Sequence, residues 1–383
     1  MKFIVPQQDF AKALLLAGKS LMPRANLPIL SNLLVNATKN KVEIVSTNLE
    51  TATKIVIPGR VEVEGKVTLA GKTLGEFVAQ LPQEQEITFE KLGEEVQVLT
   101  KGYKARLATI AAEEFPAIPV ISGGHKIKIG AADFARAATR VAFAAAQDEG
   151  RPILTGVLCE FSGGGLAVVA TDGYRLSFDE IKVLEAPKET IKIVVPARAI
   201  AEVAKTLFEM GEEIKEKAVD IVIAEGLNQM SFKIDDLEFT SRLIEGEFPN
   251  WQKVIPTSFV SRARVNKEEF TRIVRIASIF ARDSGSILRL KFASGDAGAK
   301  KQTVNVSAGS GQVGSGDAQM EVEMVGPGGE IAFNYRYLLE ALGVIEEEDV
   351  NFEMVESLNP GRLTGAGGSE KFFHIIMPVR LQT

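Results

Sequence analysis

Asp9-Phe10-Ala11-Lys12-Ala13, Asp133-Phe134-Ala135-Arg136-Ala137 and Glu269-Phe270-Thr271-Arg272-Ile273 repeat one pattern: an acid, a phenylalanine and, two places on, a cation. Each opens a helical periodicity. A second trio recurs in the same order: Ala70-Gly71-Lys72-Thr73-Leu74, Pro196-Ala197-Arg198-Ala199-Ile200 and Asn334-Tyr335-Arg336-Tyr337-Leu338. An acid follows each of these cations four places later, at Glu76, Glu202 and Glu340. Two elements recurring in register, about 125 to 140 residues apart, imply one domain built three times. A catalytic site is normally built once, so a tripled domain points to geometry before chemistry.

Working outward, apolar residues at three- and four-residue intervals predict helices over 8–22, 72–81, 131–146, 198–210, 267–281 and 335–344. Pro196 and Asn334 suit helix starts, and the charge of Asp133 suits a first turn. Alternation predicts strands over 41–45, 65–69, 95–99, 166–170, 218–224, 230–239 and 318–325. Each repeat is therefore an α+β unit, two helices on antiparallel sheet. The repeats also end alike, on Phe115-Pro116, Phe248-Pro249 and Met377-Pro378, where proline suits the exit from a last strand. Boundaries near 122 and 256 divide the chain into 1–122, 123–256 and 257–383. Three segments exceed the repeat and read as exposed loops: the charged 209–217, the Gly/Ser-rich 308–317, and 359–369.

The 383 residues are 45% hydrophobic and 25% charged, with no apolar run approaching a membrane span and no signal-peptide pattern at the start. One cysteine, Cys159, allows no intrachain disulfide, and a cytoplasmic location is expected. The net charge of −6 argues against a protein coated in nucleic acid, but its distribution is uneven. The helices with their flanking turns (8–24, 71–81, 131–151, 196–205, 264–282 and 334–342) carry fifteen Lys and Arg against nine Asp and Glu. They are thus +6, and the remainder is −12. A surface of one sign binds phosphates without reading bases.

Several motifs fail their structural context. Gly309-Ser310-Gly311-Gln312-Val313-Gly314 spells a dinucleotide fingerprint, yet a strand-like run follows it instead of a helix, so it reads as a hairpin loop. Gly71-Lys72-Thr73 lacks the upstream glycine of a P-loop at the right distance. His125 and His374 have no neighbours at metal-ligand spacing, and they read as core or surface histidines. Asp172-Gly173 between two strand-like runs is a hairpin turn, and no nucleophile or second acid accompanies Asp172 in the other repeats. No enzyme, metal or cofactor is expected.

Five segments resemble the bacterial DNA polymerase III beta subunit family, the sliding clamps. They are Arg24-Ala25-Asn26-Leu27-Pro28-Ile29-Leu30, Arg151-Pro152-Ile153-Leu154-Thr155-Gly156, Ala170-Thr171-Asp172-Gly173-Tyr174-Arg175-Leu176, Glu247-Phe248-Pro249-Asn250-Trp251 and Met377-Pro378-Val379-Arg380-Leu381. The resemblance implies a head-to-tail homodimer of three-domain subunits, closing a ring with helices inside and sheets outside. Twelve helices ~9 Å apart make a circle ~34 Å across, which less one helix thickness of ~10 Å leaves ~24 Å for a ~20 Å duplex. The implied partners are duplex DNA without sequence specificity, the replicative polymerase, the clamp loader and other clamp-motif proteins of replication and repair.

By the same resemblance, the DNA-facing residues are Arg24, Lys72, Gln147, Arg151, Arg198, Arg272, Arg275 and Arg336. The family's partner-peptide pocket carries over to Leu154, Thr171, Gly173, Tyr174, Arg175, Leu176, Pro249, Lys253, Val254, Ile375, Met377, Pro378, Val379, Arg380 and Leu381. Such a groove, apolar and rimmed by cations, suits a short, apolar, partly acidic peptide, with Gly173 and Pro249 the members expected to be merely structural. Subunit contacts are expected to join Lys104 and Leu107 to Ile279 and Phe280. Lys253 stands where many members carry Arg, Val379 replaces a frequent Met, and Gln382-Thr383 extend past the usual final Leu. The competing reading is a repeat-built interaction scaffold that never surrounds DNA.

Overall fold

The structure, a computed structural model, describes residues 1–22, 27–118, 121, 123–148, 150–282, 285–294, 301–310, 314–367 and 371–380. Its α-helices are α1 (Gln7–Ala17), α2 (Gly71–Ala79), α3 (Ala131–Ala142), α4 (Ala197–Glu209), α5 (Lys267–Ser278) and α6 (Tyr335–Val344). Each follows directly on a strand: Lys2–Pro6, Gly65–Ala70, His125–Gly130, Ile191–Pro196, Ser261–Asn266 and Gly328–Asn334. The strand ends by turning its last residue into a helix cap. Asn334 accepts from the Arg336 N–H, and Asn266 accepts from the Glu269 N–H, each satisfying an otherwise orphaned donor.

The repeated phenylalanine is explained by burial. Phe10, Phe134 and Phe270 are at most 2% exposed, each the first large anchor of its helix. In the first repeat Phe10 meets Phe3 and Phe89 edge-on at 6.0 and 6.2 Å, while Phe3 stacks on Phe89 at 4.6 Å. In the third, Phe292, Phe333 and Phe352 form a comparable cluster. The cation two places after the phenylalanine falls on the other side of the helix: Lys12 and Arg272 are exposed, and Arg136 is half-buried.

Among the described residues, the strands assemble into sheets of thirteen, nine and four strands. The chain packs as two compact units, which do not coincide with three repeats. One comprises Met1–Ala132, Val183–Pro187 and Glu202–Leu243, and the other Asp133–Lys182, Lys188–Ala201 and Ile244–Thr383. The reason lies in main-chain pairing. Strand Leu237–Arg242 of the middle repeat pairs antiparallel with Thr51–Pro58 of the first, Ser241 opposite Thr51. Strand Phe373–Ile376 of the third pairs with Arg175–Lys182 of the middle, Ile376 opposite Arg175. The middle repeat thus lends strands to both units.

Some expectations need correction. The strand expected over 230–239 is a hairpin, Gln229–Ile234 and Leu237–Arg242, turning at Asp235 with φ 50°. The run 318–325 likewise divides between Gly314–Glu321 and Glu323–Val325. The three supposed loops are largely structured. The first holds the end of α4 and a 3-10 turn, Gly211–Lys215, that buries Ile214. The second belongs to a hairpin of Thr303–Ser310 and Gly314–Glu321, with 311–313 outside the described residues. The third contains strand Gly361–Gly365, paired on both sides, with 368–370 outside. Glycine and charge hid these elements because each displays little apolar alternation. Residue 122 lies outside the described set, whereas 256–258 links the 3-10 turn Trp251–Val254 to strand Ser261–Asn266.

Truncating the aromatic trio tests this core. Phe89→Ala should lower stability by about 3–5 kcal/mol, whereas Glu84→Ala on the surface should stay within about 0.5 kcal/mol. Chemical denaturation followed by near-UV circular dichroism would show both.

Candidate functional site

On α2, α4, α5 and α6, burying one face leaves exposed cations on the other. Lys72, on α2 behind the buried Leu74 and Val78, is exposed beside Glu76 at 3.8 Å. Arg198 and Lys205 are exposed on α4, and Arg272 and Arg275 on α5, where Phe270, Ile273, Val274 and Ala277 face inward. Arg336 is exposed on α6, its guanidinium 5.9 Å from the Tyr335 ring. Gln147 and Arg151 are exposed beyond α3, and Arg24 lies outside the described residues. Exposed cations of this kind can exchange water and counterions for phosphate oxygens at little structural cost.

The helix excess of +6 is not all available for that purpose. Lys19 bridges Glu202 and Glu209 at 3.0 and 3.2 Å, and Arg136 pairs with Asp133 at 2.6 Å. Arg140 is buried between Asp179 at 3.8 Å and Glu346 at 3.3 Å, and Arg264 is held by Asp349 at 2.6 Å. Composition registers these charges but not their partners.

The hairpin after strand Gly165–Thr171 shows how a tyrosine is presented. Asp172 Oδ1 accepts from the Tyr174 and Arg175 N–H groups at 2.8 and 3.0 Å. Thr171 Oγ1 donates to the Arg175 carbonyl at 2.5 Å and accepts from the Gly173 N–H at 3.0 Å. Gly173 holds φ +92°, and a Cβ there would come within 3.0 Å of the Arg151 guanidinium, so only glycine fits comfortably. Arg151 closes the turn by donating from Nη2 to the Asp172 carbonyl at 2.7 Å. Tyr174 is left 62% exposed.

Arg175 corrects the expected picture of cations rimming a groove. It is 5% exposed. Its Nε donates to Asp172 Oδ2 at 3.1 Å, its Nη2 to the Phe143 carbonyl at 2.8 Å, and its Nη1 pairs with Glu340. The Phe143 and Tyr337 rings flank it at 5.3 and 4.6 Å. Arg175 is therefore a strut beneath the hairpin. Glu340, its partner, was visible in the sequence as the repeated acid; Phe143 carried no such signal.

The other proposed groove residues fall into three layers. Leu154, Leu176 and Ile375 are buried, while Thr171, Val254, Met377, Pro378 and Val379 are half-buried. Gly173, Tyr174, Pro249, Lys253 and Arg380 are exposed, and Leu381 lies outside the described residues. Leu176, Ile375 and Val254 share one apolar cluster with Ile153, Phe248 and Trp251, none of which the sequence reading assigned to the site. The tail is fixed by main chain: Met377 N donates to the Tyr174 carbonyl at 2.9 Å and Val379 N to the Ala332 carbonyl at 2.8 Å.

Lys104 and Leu107 lie on strand Tyr103–Ile110, where alternation exposes Lys104 and half-buries Leu107 on the other face. That strand pairs with Glu95–Thr100 on one side, but with Gly65–Ala70 only through Thr109 and Ile110. Its 103–108 stretch thus has one edge unpaired among the described residues. Ile279 is 51% exposed, and Phe280 is half-buried with its ring against Gly316, where a Cβ would lie 2.3 Å from it. Among the described residues, no helix is long and apolar enough to cross a membrane.

Comparison with known proteins covers the whole chain. Family models described as the DNA polymerase III beta subunit N-terminal, central and C-terminal domains match residues 1–119, 128–250 and 252–380. The beta sliding clamp of Synechococcus elongatus is 25% identical over 386 residues, covering 100% of both chains. That of Staphylococcus aureus is 26% identical over 390 residues, covering 99% of each. Among solved structures, the sliding clamp (DNA polymerase III subunit beta) of Pseudomonas aeruginosa bound to griselimycin superposes with TM-score 0.90 at 25% identity, covering 100% of both chains. The DNA polymerase sliding clamp of Bacillus subtilis gives the same three values.

Beneath the hairpin, His374 is fully buried, its Nδ1 paired with Ser177 Oγ at 2.5 Å and its ring stacked on Phe143 at 5.4 Å. Burial, reinforced by the Arg175 charge, lowers its pKa to about 3. The imidazole is therefore neutral, and the Cys159 thiol, pushed up by burial to about 12, is inert. Because unfolded histidine titrates near 6.5, the unfolded chain takes up this proton first as pH falls. The stability due to neutral His374 is complete above about pH 6.5 and is lost progressively toward pH 3. Between pH 6 and 5 the native chain should lose about 1 kcal/mol more than His374→Phe, measured by denaturant midpoints at each pH.

Proposed function

The chain belongs to the DNA polymerase III beta subunit family, and from that premise we propose that it is a non-catalytic sliding clamp: two copies close head to tail around duplex DNA. Membership in the family disposes of the scaffold that never surrounds DNA. The observation that carries the reading is the sidedness of α1, α2, α4, α5 and α6, each apolar on one face with an exposed cation on the other. Lys72, Gln147, Arg151, Arg198, Arg272, Arg275 and Arg336 face the duplex in this proposal, together with Arg24. Loose, water-mediated attraction to phosphates has no preferred position along DNA, so the ring stays on by topology and moves freely. The acidic remainder of the chain discourages DNA from binding elsewhere.

Closure needs two unlike surfaces, since a head-to-tail contact is heterologous. The unpaired edge of 103–108 supplies one, with Lys104 and Leu107; the end of α5, with Ile279 and Phe280 beside edge strand Gly314–Glu321, supplies the other. A closed ring cannot admit uncut circular DNA unless it is opened, which calls for a clamp loader. The three domains divide at 1–122, 123–256 and 257–383. The exposed Tyr174 hairpin with Pro249, Lys253, Val254 and the Met377–Arg380 tail forms the groove that takes short peptides of the replicative polymerase and other clamp-binding proteins. Leu154, Leu176 and Ile375 form its floor, and Arg175 holds the hairpin in place. A polymerase tethered there works at high effective concentration. Such work on the chromosome belongs in the cytoplasm.

Protein loaded onto nicked circular DNA should survive a moderate-salt wash and slip off once the circle is linearised, as followed by gel filtration; equal loss from both substrates would contradict enclosure. In direct duplex binding, Arg272→Ala with Arg275→Ala should reduce the slope of log affinity against log salt by about 2.

A further inference from the structure

The hairpin frame of the peptide groove is built twice. In the first repeat, Asn48 Oδ1 accepts from the Glu50 and Thr51 N–H groups at 3.0 and 2.7 Å, as Asp172 does for Tyr174 and Arg175. Thr47 Oγ1 donates to the Thr51 carbonyl at 2.8 Å and accepts from the Leu49 N–H at 3.0 Å, as Thr171 does for Arg175 and Gly173. Arg242 N donates to the Glu50 carbonyl at 2.9 Å, just as Met377 N donates to that of Tyr174 at 2.9 Å. Even the 3-10 turns correspond: Pro28–Ser31 buries Leu30 as Pro152–Thr155 buries Leu154.

At this first frame lies a cavity of about 80 Å³, lined by Leu49, Glu50, Pro116, Ile118, Thr240 and Arg242 among others. Its size suits one aliphatic side chain and excludes a folded ligand. Two further observations point to an occupant. Leu49 occupies the position of Gly173 and keeps its left-handed backbone, φ +75°, with its side chain 47% exposed. Leucine is disfavoured in that conformation, and such outliers gather where a side chain is needed for contact. Arg242, exposed on the rim, forms no ion pair among the described residues.

We propose that this cavity is a second linear-peptide pocket in each chain, taking a short extended segment with an aliphatic side chain and a neighbouring carboxylate. The aliphatic group enters between Leu49, Pro116 and Ile118. The carboxylate meets Arg242, and Glu50 accepts a peptide N–H. The proposal rests on the reading of the Tyr174 hairpin as a peptide site, because the shared frame is what relates the two. The chemistry differs at the tip: glycine and tyrosine there, leucine and glutamate here. The two pockets therefore select different sequences.

The probe is an acetylated, amidated pentapeptide with one leucine and an adjacent aspartate in a glycine–serine background, titrated into full-length, methyl-labelled protein. Expected are saturable shifts of the Leu49 and Ile118 methyls, with a Kd weakened about tenfold or more by Arg242→Glu. Leu49→Gly separates contact from architecture: it should weaken binding while the melting temperature stays level or rises. The proposal is overturned if these methyls do not respond at millimolar peptide, or if Ile118, the reporter common to both variants, titrates in each as tightly as in the native chain. The Val254 methyls, with a Tyr174→Ala variant, report the hairpin groove separately. A response at Val254 alone sinks the second pocket and spares the first reading, whereas a response at Leu49 and Ile118 alone is the result expected of a pocket with its own sequence preference.

Discussion

Backbone pairing across repeat boundaries is the constraint on which the rest of the molecule depends. Strand Leu237–Arg242 is bound in register to Thr51–Pro58, and Phe373–Ile376 to Arg175–Lys182. Each hydrogen bond contributes only about 0.5–1.5 kcal/mol net, but a slip of one residue would turn every buried side chain of the strand outward. Register is thus fixed by the cores on either side. The last bond of each ladder reaches the hairpin itself, Arg242 to Glu50 and Met377 to Tyr174. The hairpin tips consequently inherit the rigidity of the junctions, although their side chains are exposed.

The same architecture separates two kinds of cation. Arg175, Lys19, Arg140 and Arg264 are committed to carboxylates of the fold. Arg175 is the extreme case, desolvated between two rings with three acceptors, and losing any acceptor would leave a buried charge partly uncompensated. Arg198, Arg272, Arg275 and Arg336 instead stand in water on helix faces whose backs are core. Under the proposed enclosure of DNA, solvent exposure is what keeps such an attraction to phosphates weak and position-independent, as movement along a duplex requires.

The sequence disclosed much of this because repetition amplifies weak signals. Phe10, Phe134 and Phe270 could each be any buried phenylalanine; together they mark three helices at equivalent places. The helices, the α+β plan and the turn at Asp172-Gly173 were legible for that reason. What stayed hidden depended on contacts distant in sequence. Glu340 lies 165 residues from Arg175, and Lys19 finds Glu209 190 residues away. Periodicity reports which face of an element is apolar and says nothing about which charge will meet which. The supposed loops failed differently: Gly361–Gly365 is held by its neighbours' main chains, so its side chains need not alternate.

Comparing the two junctions separates what the fold imposes from what chemistry adds. Thr47-Asn48 and Thr171-Asp172 build the same net of side-chain-to-backbone bonds, because a strand that must turn and hand its ladder to another repeat has few other ways to satisfy its donors. The residues between them are free of that duty. At Tyr174 and Arg175 one side chain is displayed and the next is driven inward as a strut; at Glu50 and Thr51 both are small or solvated, and no strut is needed. Glycine at 173 meets the turn's positive φ without strain, so leucine at 49 is the departure that calls for a cause. A backbone penalty retained at an exposed tip, beside a cavity lined by both apolar and polar side chains, is what the proposed contact with a peptide would account for.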